Sequence, residues 1–401
     1  MNLLIVKLFI KILIELIELP FLVFFSLLSR FFPKAIDIGL GPEPMINNVY
    51  HKKALEIMGY SAETFVDSVF FITDKFDRKF INKNATIGRL LLQTNYIFVY
   101  SLFRYRCLYF YFNGSSLHRT SILWLFEPWL YHIAGIRTVI MPYGGDVQDM
   151  QRTPNLMLRH AIAKDYPLQR NRYKKIASKI KIWTAQADHV ISGCDWVDYM
   201  PFWHTLMVAH FSIDTQEWKP TKIVDSSTNA ARSFRVLHAP NHRTIKGTDF
   251  FIRAVQELRE EGENIELVLA EKLPNDEIRR LIESVDLVAD QLIIGWYAMF
   301  AIESMSLGKP VMCYLRDDLQ RLYIDSGLLE EDEIPLINCA PNTLKDKLRL
   351  LMHSPAQLDE AGRRGIEYVN RHHSLEAVGA VFTKINNSIG LYPKEEKEAS
   401  L

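Results

Sequence analysis

Residues 236–247 read VLHAPNHRTIKG and residues 295–315 read GWYAMFAIESMSLGKPVMCYL, and the fold turns on these two stretches. Val236 to His238 has the composition of a short buried strand, and the turn that follows delivers Arg243 and Lys246 to a helix expected over Gly247 to Glu261. Backbone N–H groups at a helix start, with the positive end of its dipole, favour an anion such as a diphosphate, and two adjacent cations strengthen that preference. In the second stretch a Gly/aromatic turn leads into a helix carrying Glu303, which ends at Gly308-Lys309-Pro310 before another apolar strand, Val311 to Leu315. A carboxylate there can accept hydrogen bonds from vicinal hydroxyls such as those of a ribose. Each feature alone has an ordinary explanation too. Lys-Gly opens many solvated helices, and a glutamate in a first turn complements the dipole with no ligand. Their ordered co-occurrence favours the ligand.

Outward from these stretches, the second half alternates strand and helix patterns: FRVLHA, IELVLAE, ADQLII, KPVMCYL and IPLINC, each followed by a helical run. The first half does the same with more aromatic strands: AIDIGLG, VFFIT, CLYFYFNG, TVIMPYGG and ADHVISGC. This predicts an α/β protein whose parallel sheets are covered on both faces, with ligands at the carboxyl ends of the strands. A chain of 401 residues, 48% hydrophobic and 23% charged, exceeds the size at which one core usually divides, so two domains are expected.

These stretches resemble the C-terminal half of retaining glycosyltransferases of the GT-B fold, the family 4 group (glycosyl transferases group 1). HFSIDTQEWKP (His210 to Pro220) is similar to the segment leaving that family's first domain, and RRGIEYVNRHHSLEAV (Arg363 to Val378) to its closing helices. The resemblance covers roughly Lys34 to Leu391, dense in the second half and thin in the first. It implies two Rossmann-like domains whose sheets face each other across a cleft: 33–215 for the acceptor and 216–375 for a nucleotide-sugar donor, with 376–401 packing back on the first domain. It implies that Lys246 and Arg243 bind the pyrophosphate, although the family's arginine usually stands where Asn241 is here. The family carries two glutamates eight positions apart. The second, on the ribose, corresponds to Glu303, but the first, on the transferred sugar, is replaced by Gly295. Asp290 is the candidate substitute, and Trp296 and Tyr297 are candidates for stacking near the donor.

On the acceptor side three loops at strand ends stand out: Gly39 to Asn48, Phe112 to Arg119 and Pro142 to Met150. Gly39 and Gly41 would let backbone approach the donor phosphates, and Gly144-Gly145 would set a tight turn presenting Asp146. Where the family often has a histidine-glycine pair and then an aspartate, this chain has Tyr143 as a substitution and Asp146 as the match. Asp146 is thus a candidate base, with Asn113 and His118 candidates for acceptor binding. Ordinary turn chemistry accounts for these loops nearly as well.

Net charge is zero, but residues 1–200 hold 24 Lys/Arg against 16 Asp/Glu, an excess of +8 that the rest balances. Arg159 to Lys181, read as a basic helix, contains eight Lys/Arg and one acid, Asp165. Such a face is either simply solvated or meets an anionic lipid; no nucleic-acid motif accompanies it. Met1 to Leu28 is almost entirely apolar, yet Lys7, Lys11, Glu15 and Glu18 recur at spacings of four, four and three, within one helical stripe. The longest uncharged run here, Leu19 to Ser29, falls well short of the roughly 20 residues a bilayer requires, and acids inside the apolar region disfavour a secretory signal. The expectation is an amphipathic helix over 1–32 lying in the inner face of the cell membrane, the rest of the protein being cytoplasmic; the alternative is a helix packed on the protein or a partner subunit. Cys107, Cys194, Cys313 and Cys339 lack paired spacing and fit a reducing compartment.

The resemblance implies transfer of a glycosyl unit from a nucleoside diphosphate sugar to a hydroxyl, with retention, without a metal or cofactor, the acceptor being a saccharide or lipid-linked saccharide as in capsule or O-antigen assembly. The GT-A alternative would need Asp-x-Asp, and Asp317-Asp318 are adjacent. A non-catalytic GT-B relative, serving as membrane-bound scaffold or sugar-binding subunit, is the alternative that Gly295 favours; a non-sugar activated donor is the third.

Overall fold

The computed structural model describes residues 3–69, 73–81, 87–220 and 232–394. The chain begins with helix α1 (Leu3–Ser29), and the first domain then sets β1 (Ile36–Leu40), α2 (Ile46–Ile57), β2 (Ala62–Val66), β3 (Arg78–Lys79), α3 (Ile87–Arg104), β4 (Tyr105–Tyr111), α4 (Glu127–Ala134), β5 (Arg137–Met141), α5 (Leu156–Asp165), α6 (Tyr173–Gln186), β6 (His189–Gly193) and β7 (Thr205–Met207). All pairings are parallel, in the order 3-2-1-4-5-6-7. The second domain contains β8 (Phe234–His238), α7 (Arg243–Lys246), α8 (Thr248–Glu260), β9 (Ile265–Leu269), α9 (Asn275–Glu283), β10 (Leu287–Ala289), α10 (Met299–Ser306), β11 (Val311–Cys313), α11 (Asp317–Asp325), β12 (Ile337–Asn338) and α12 (Leu344–Met352). Its parallel sheet has the order 12-11-10-8-9. This is the GT-B architecture. Helices α13 (Pro355–His372) and α14 (Leu375–Ser388) complete the described chain, and α14 buries Val378, Phe382 and Ile385 with Ile38, Leu40 and Leu55 of the first domain.

The strands are apolar on both sides because helices cover both faces. In β4, Cys107 to Tyr111 are all essentially inaccessible. Each sheet reverses direction once. The first does so between β1 and β4, the second between β8 and β10, and at such switch points the loops part to leave a crevice at the carboxyl ends. The two crevices face each other: Asn155, after β5, donates its side-chain amide to the carbonyl of Ile293 (2.7 Å), after β10, and Leu158, Ala161 and Ile162 of α5 pack on Ile293.

Several sequence expectations are corrected. The second strand is Ala62–Val66; of the expected VFFIT, Phe70 to Ile72 lie outside the described residues. The run ADQLII is strand only to Ala289; Gln291 accepts from the N–H groups of Ile293 (2.9 Å) and Ile294 (2.7 Å), bending the backbone out of the sheet. The basic segment is two helices, because Pro167 interrupts it at a 3-10 turn. The helix expected from Gly247 is preceded by the single turn α7, and Gly247, at φ 76°, separates the two.

Helix α1 turns its charged stripe toward the protein. Glu15 is wholly buried and accepts the N–H groups of Ser121 (2.7 Å), Ile122 (2.6 Å) and Leu123 (3.4 Å), while Lys11 donates to the carbonyl of Arg119 (3.2 Å). Leu22, Ser26 and Ser29 continue that buried face along α3 and α4. The opposite face is open: Phe9 is 61% exposed, Ile17 67% and Phe21 62%. Among the described residues no helix is long and apolar enough to cross a membrane. Glu15→Ala leaves three N–H groups without an acceptor, so it is expected to cost about 1–3 kcal/mol and to lower the urea unfolding midpoint. An unchanged midpoint would show that α1 is not docked through this carboxylate.

Candidate functional site

On the second domain the site is built around the switch point. His238, the last residue of β8, is buried and joins the carbonyl of Ala289 (2.8 Å) to the hydroxyl of Thr248 (2.9 Å), tying β8, β10 and the start of α8 together. Burial pushes its imidazole down to about 4, so the ring is neutral. The turn α7 then presents Lys246, whose ammonium lies 2.6 Å from the Asp290 carboxylate just beyond β10. Asp290 is fully buried and the Lys246 side chain 14% exposed. Asp290 therefore holds the lysine, and does not fill the place of the missing glutamate at Gly295. Arg243 is exposed and paired with Glu271 at 2.8 Å; Asn241 is exposed beside it. The N–H groups of Thr244 and Ile245 are bonded, at 3.0 Å each, by Asp165 of the first domain.

The turn after β10 is organised by Gln291, which also donates to the carbonyls of Trp296 (2.9 Å) and Tyr314 (2.8 Å). Gly295 sits at φ 94°, and a Cβ placed there would come within 2.6 Å of the Arg316 side chain. Arg316 thus lies over Gly295. Its guanidinium reaches across the cleft to Asp198 (2.5 Å) and also pairs with Asp318. Trp296 and Tyr297 are not on a donor-facing surface: both are 1% exposed, the indole donating to the carbonyl of Val208 (3.0 Å) and the phenol bonded to Tyr368 (2.7 Å) and His373 (3.0 Å). They fill core because the glycine turn directs them inward.

Glu303 lies in the second turn of α10, 6% exposed, and its carboxylate accepts from the Asn275 side-chain amide at 3.2 Å. Burial raises it to about 8, against which the Asn275 bond is a smaller, opposing effect. A hydroxyl donor approaching this group would favour the ionised form.

On the first domain the loops after β1, β4 and β5 converge. Asp146 is wholly buried and accepts from the N–H groups of Phe112 (2.9 Å), Tyr143 (3.0 Å) and Gly144 (3.0 Å). With no exposed oxygen it organises two loops and is not placed as a base, although burial raises it to about 7. Gly144 (φ 122°) supplies the turn, and Gly145 accepts from the Gln169 side chain at 3.0 Å. His118 is also inward: one ring nitrogen bonds the carbonyl of Ser115 (2.7 Å), the other accepts from Arg119 (3.1 Å), and burial drives its value down to about 3. At Gly41 a Cβ would come within 1.9 Å of the carbonyl of Phe65, so this glycine serves the close approach of β2.

The group that does face the crevice is one the sequence reading passed over. Glu43, half-buried, is met by the Tyr143 hydroxyl (3.4 Å) and the Asn113 amide (3.5 Å), and Asn113 also donates to Tyr143 at 2.7 Å. Burial, and then the charge of Asp67, raises its carboxyl. It was legible as the only acid in GLGPEPMINN. Arg316, Asp165 and Gln291 carried no signal of their own, since each acts on a segment distant in the chain or bends its own turn.

No protein-family model and no curated protein matches the sequence. Among solved structures, sucrose-phosphate synthase from Thermosynechococcus elongatus superposes with a TM-score of 0.58 at 12% identity, covering 89% of this chain and 99% of that one. TarM (TM-score 0.46, 13% identity, 75% of this chain and 58% of that one) and the wall teichoic acid polymerase TagF (TM-score 0.44, 11% identity, 98% and 99%) are more distant, below the level at which likeness is informative. The likeness at this identity is one of fold, and it defines the chain as a GT-B protein.

Because Glu303 titrates near about 4.3 when unfolded and near 8 when folded, the folded state binds more protons between those values, and stability falls as pH rises through that window. Glu303→Gln is expected to flatten this loss, gaining on the wild type in urea unfolding from about pH 5 to about pH 9; parallel pH profiles would contradict it. Gly295→Ala, strained in φ and pressed on Arg316, is expected to lower stability by roughly 1–3 kcal/mol, read as a fall in midpoint.

Proposed function

We propose that this protein is a retaining glycosyltransferase that moves a sugar from a nucleoside diphosphate sugar to a hydroxyl of a saccharide, borne on a lipid, at the inner face of a membrane held by α1. The observation that carries this reading is the Lys246–Asp290 pair at the switch point of one sheet, set opposite Glu43, Asn113 and Tyr143 at the switch point of the other. A buried aspartate holds the lysine with its charge at the crevice, where a departing diphosphate needs stabilisation. Glu303 takes the ribose hydroxyls, and Arg243, released from Glu271, is within the same turn as Lys246. Glu43 with Tyr143 and Asn113 orients the acceptor hydroxyl, whose proton passes to the leaving phosphate. Closure of the two crevices excludes water. The exposed apolar face of α1 supports membrane contact, and with it a surface-glycan acceptor.

A second reading is favoured by one observation. Arg316 over Gly295 occupies the place where the family handles the transferred sugar, which suits a non-catalytic GT-B subunit that retains the nucleotide crevice. The separating experiment is release of nucleotide from UDP-, GDP-, ADP- and dTDP-sugars with detergent and a mixed lipid extract. Turnover of one donor is expected, falling about 100- to 1000-fold in Lys246→Ala. Nucleotide binding without turnover of any donor would establish the non-catalytic subunit instead.

A further inference from the structure

Lys11 of α1 and Arg172, Lys175 and Lys179, at and within α6, lie near one another beside the turn before α4. The ammonium groups of Lys175 and Lys179 each lie 5.8 Å from the centre of the Trp124 ring, and that indole is fixed by its bond to the carbonyl of Ser121 (3.0 Å). Lys11 reaches the same loop through the carbonyl of Arg119 (3.2 Å), and Lys179 through the carbonyl of Asn113. Burial first, then the charges of Arg172 and Lys11, hold Lys175 below the usual lysine range, so the cations lie close enough to repel one another.

The acids nearby relieve this only in part. Glu15 lies 3.8 Å from Lys11, but its oxygens are spent on the N–H groups of Ser121 to Leu123; Glu127 is wholly buried and spent on those of Ser115 (3.2 Å) and Leu117 (2.8 Å). Among the described residues neither Arg172 nor Lys175 forms an ion pair; Arg172 is exposed, and Lys175 is partly open to solvent with its ammonium partly buried. Cations in excess of the carboxylates beside them, two of them set over an aromatic ring, are a binding arrangement for an anion. What identifies the anion is the neighbouring surface. The outward face of α1 is apolar over its length, and exposed Leu125 (41%) and Trp129 (44%) stand on the elements against which α1 packs. A molecule meeting both surfaces carries a phosphate at one end and hydrocarbon at the other.

We propose that Lys175, set over Trp124, together with Lys11 and Arg172 beside it, binds the phosphate group of an anionic membrane lipid whose chains lie along the apolar face of α1. This rests on the membrane contact proposed above and gives it a chemical specificity that apolar burial alone lacks. The 115–124 loop, which continues from Asn113 at the acceptor crevice, joins the lipid site to that crevice.

The test is flotation of the full chain with phosphatidylcholine vesicles, with and without phosphatidic acid, at fixed ionic strength. The wild type is expected to prefer the anionic vesicles. Lys175→Ala is expected to lose about fivefold of that preference or more while still floating with neutral vesicles, and Lys164→Ala, an exposed lysine on α5, to keep it. Phe21→Ser is expected to weaken binding to both vesicle types. An unchanged preference in Lys175→Ala, an equal loss in Lys164→Ala, or no flotation of the wild type would overturn the proposal. Saturable release by inorganic phosphate at constant ionic strength would assign the site to a free anion and overturn the lipid assignment. None of these readings depends on nucleotide release, so failure of the lipid site and failure of the transferase reading are separable.

Discussion

Loops that leave a parallel sheet carry N–H groups that no neighbouring strand can satisfy, and in this protein carboxylates satisfy them, three of them buried and Asp165 half-buried. Asp146 takes three such groups from two loops, Glu127 takes two from the loop after β4, Glu15 takes three from the turn before α4, and Asp165 takes two from α7. A buried carboxylate is costly unless its lone pairs are filled, and a buried N–H is costly unless it has an acceptor, so each offsets the other's loss of water. The first-domain loops keep their shape because Asp146, Glu127 and Glu15 hold them from behind with buried side chains, while Asp165 ties α7 to the facing domain.

The same logic separates groups that build the site from those that face it. Asp146 and His118 are chemically versatile but fully engaged, and so are Trp296 and Tyr297. Lys246 and Glu43 retain partial exposure at the ends of opposite sheets. Arg316 is of a third kind: it lies over Gly295 and bridges to Asp198, so the glycine turn and the contact between domains are joined through one side chain.

Helix α1 reverses the usual arrangement of an amphipathic surface helix, in which apolar side chains face the core. Glu15 and Lys11 are engaged by the protein, while Phe9, Ile17 and Phe21 are left outside. The turn it caps is continuous with the loop bearing Asn113, so α1 is mechanically joined to the crevice of the first domain.

The sequence by itself determined the alternation of strands and helices, the two sheets and the place of Lys246 just beyond β8, because these follow from local apolar runs and from turn residues beside them. It also marked the stripe of Lys11, Glu15 and Glu18, a matter of helical periodicity alone. It did not determine which way that stripe turns, since both directions bury something and only the unpaired N–H groups of Ser121 to Leu123 decide between them. Nor did it end the strand of ADQLII at Ala289, where the side chain of Gln291 competes with the ladder for the backbone. The partners of Lys246, Gly295 and Thr244 come from 44, 21 and 79 positions away. Contacts at such separations leave no periodic trace in a chain, and the tertiary structure alone assigned them.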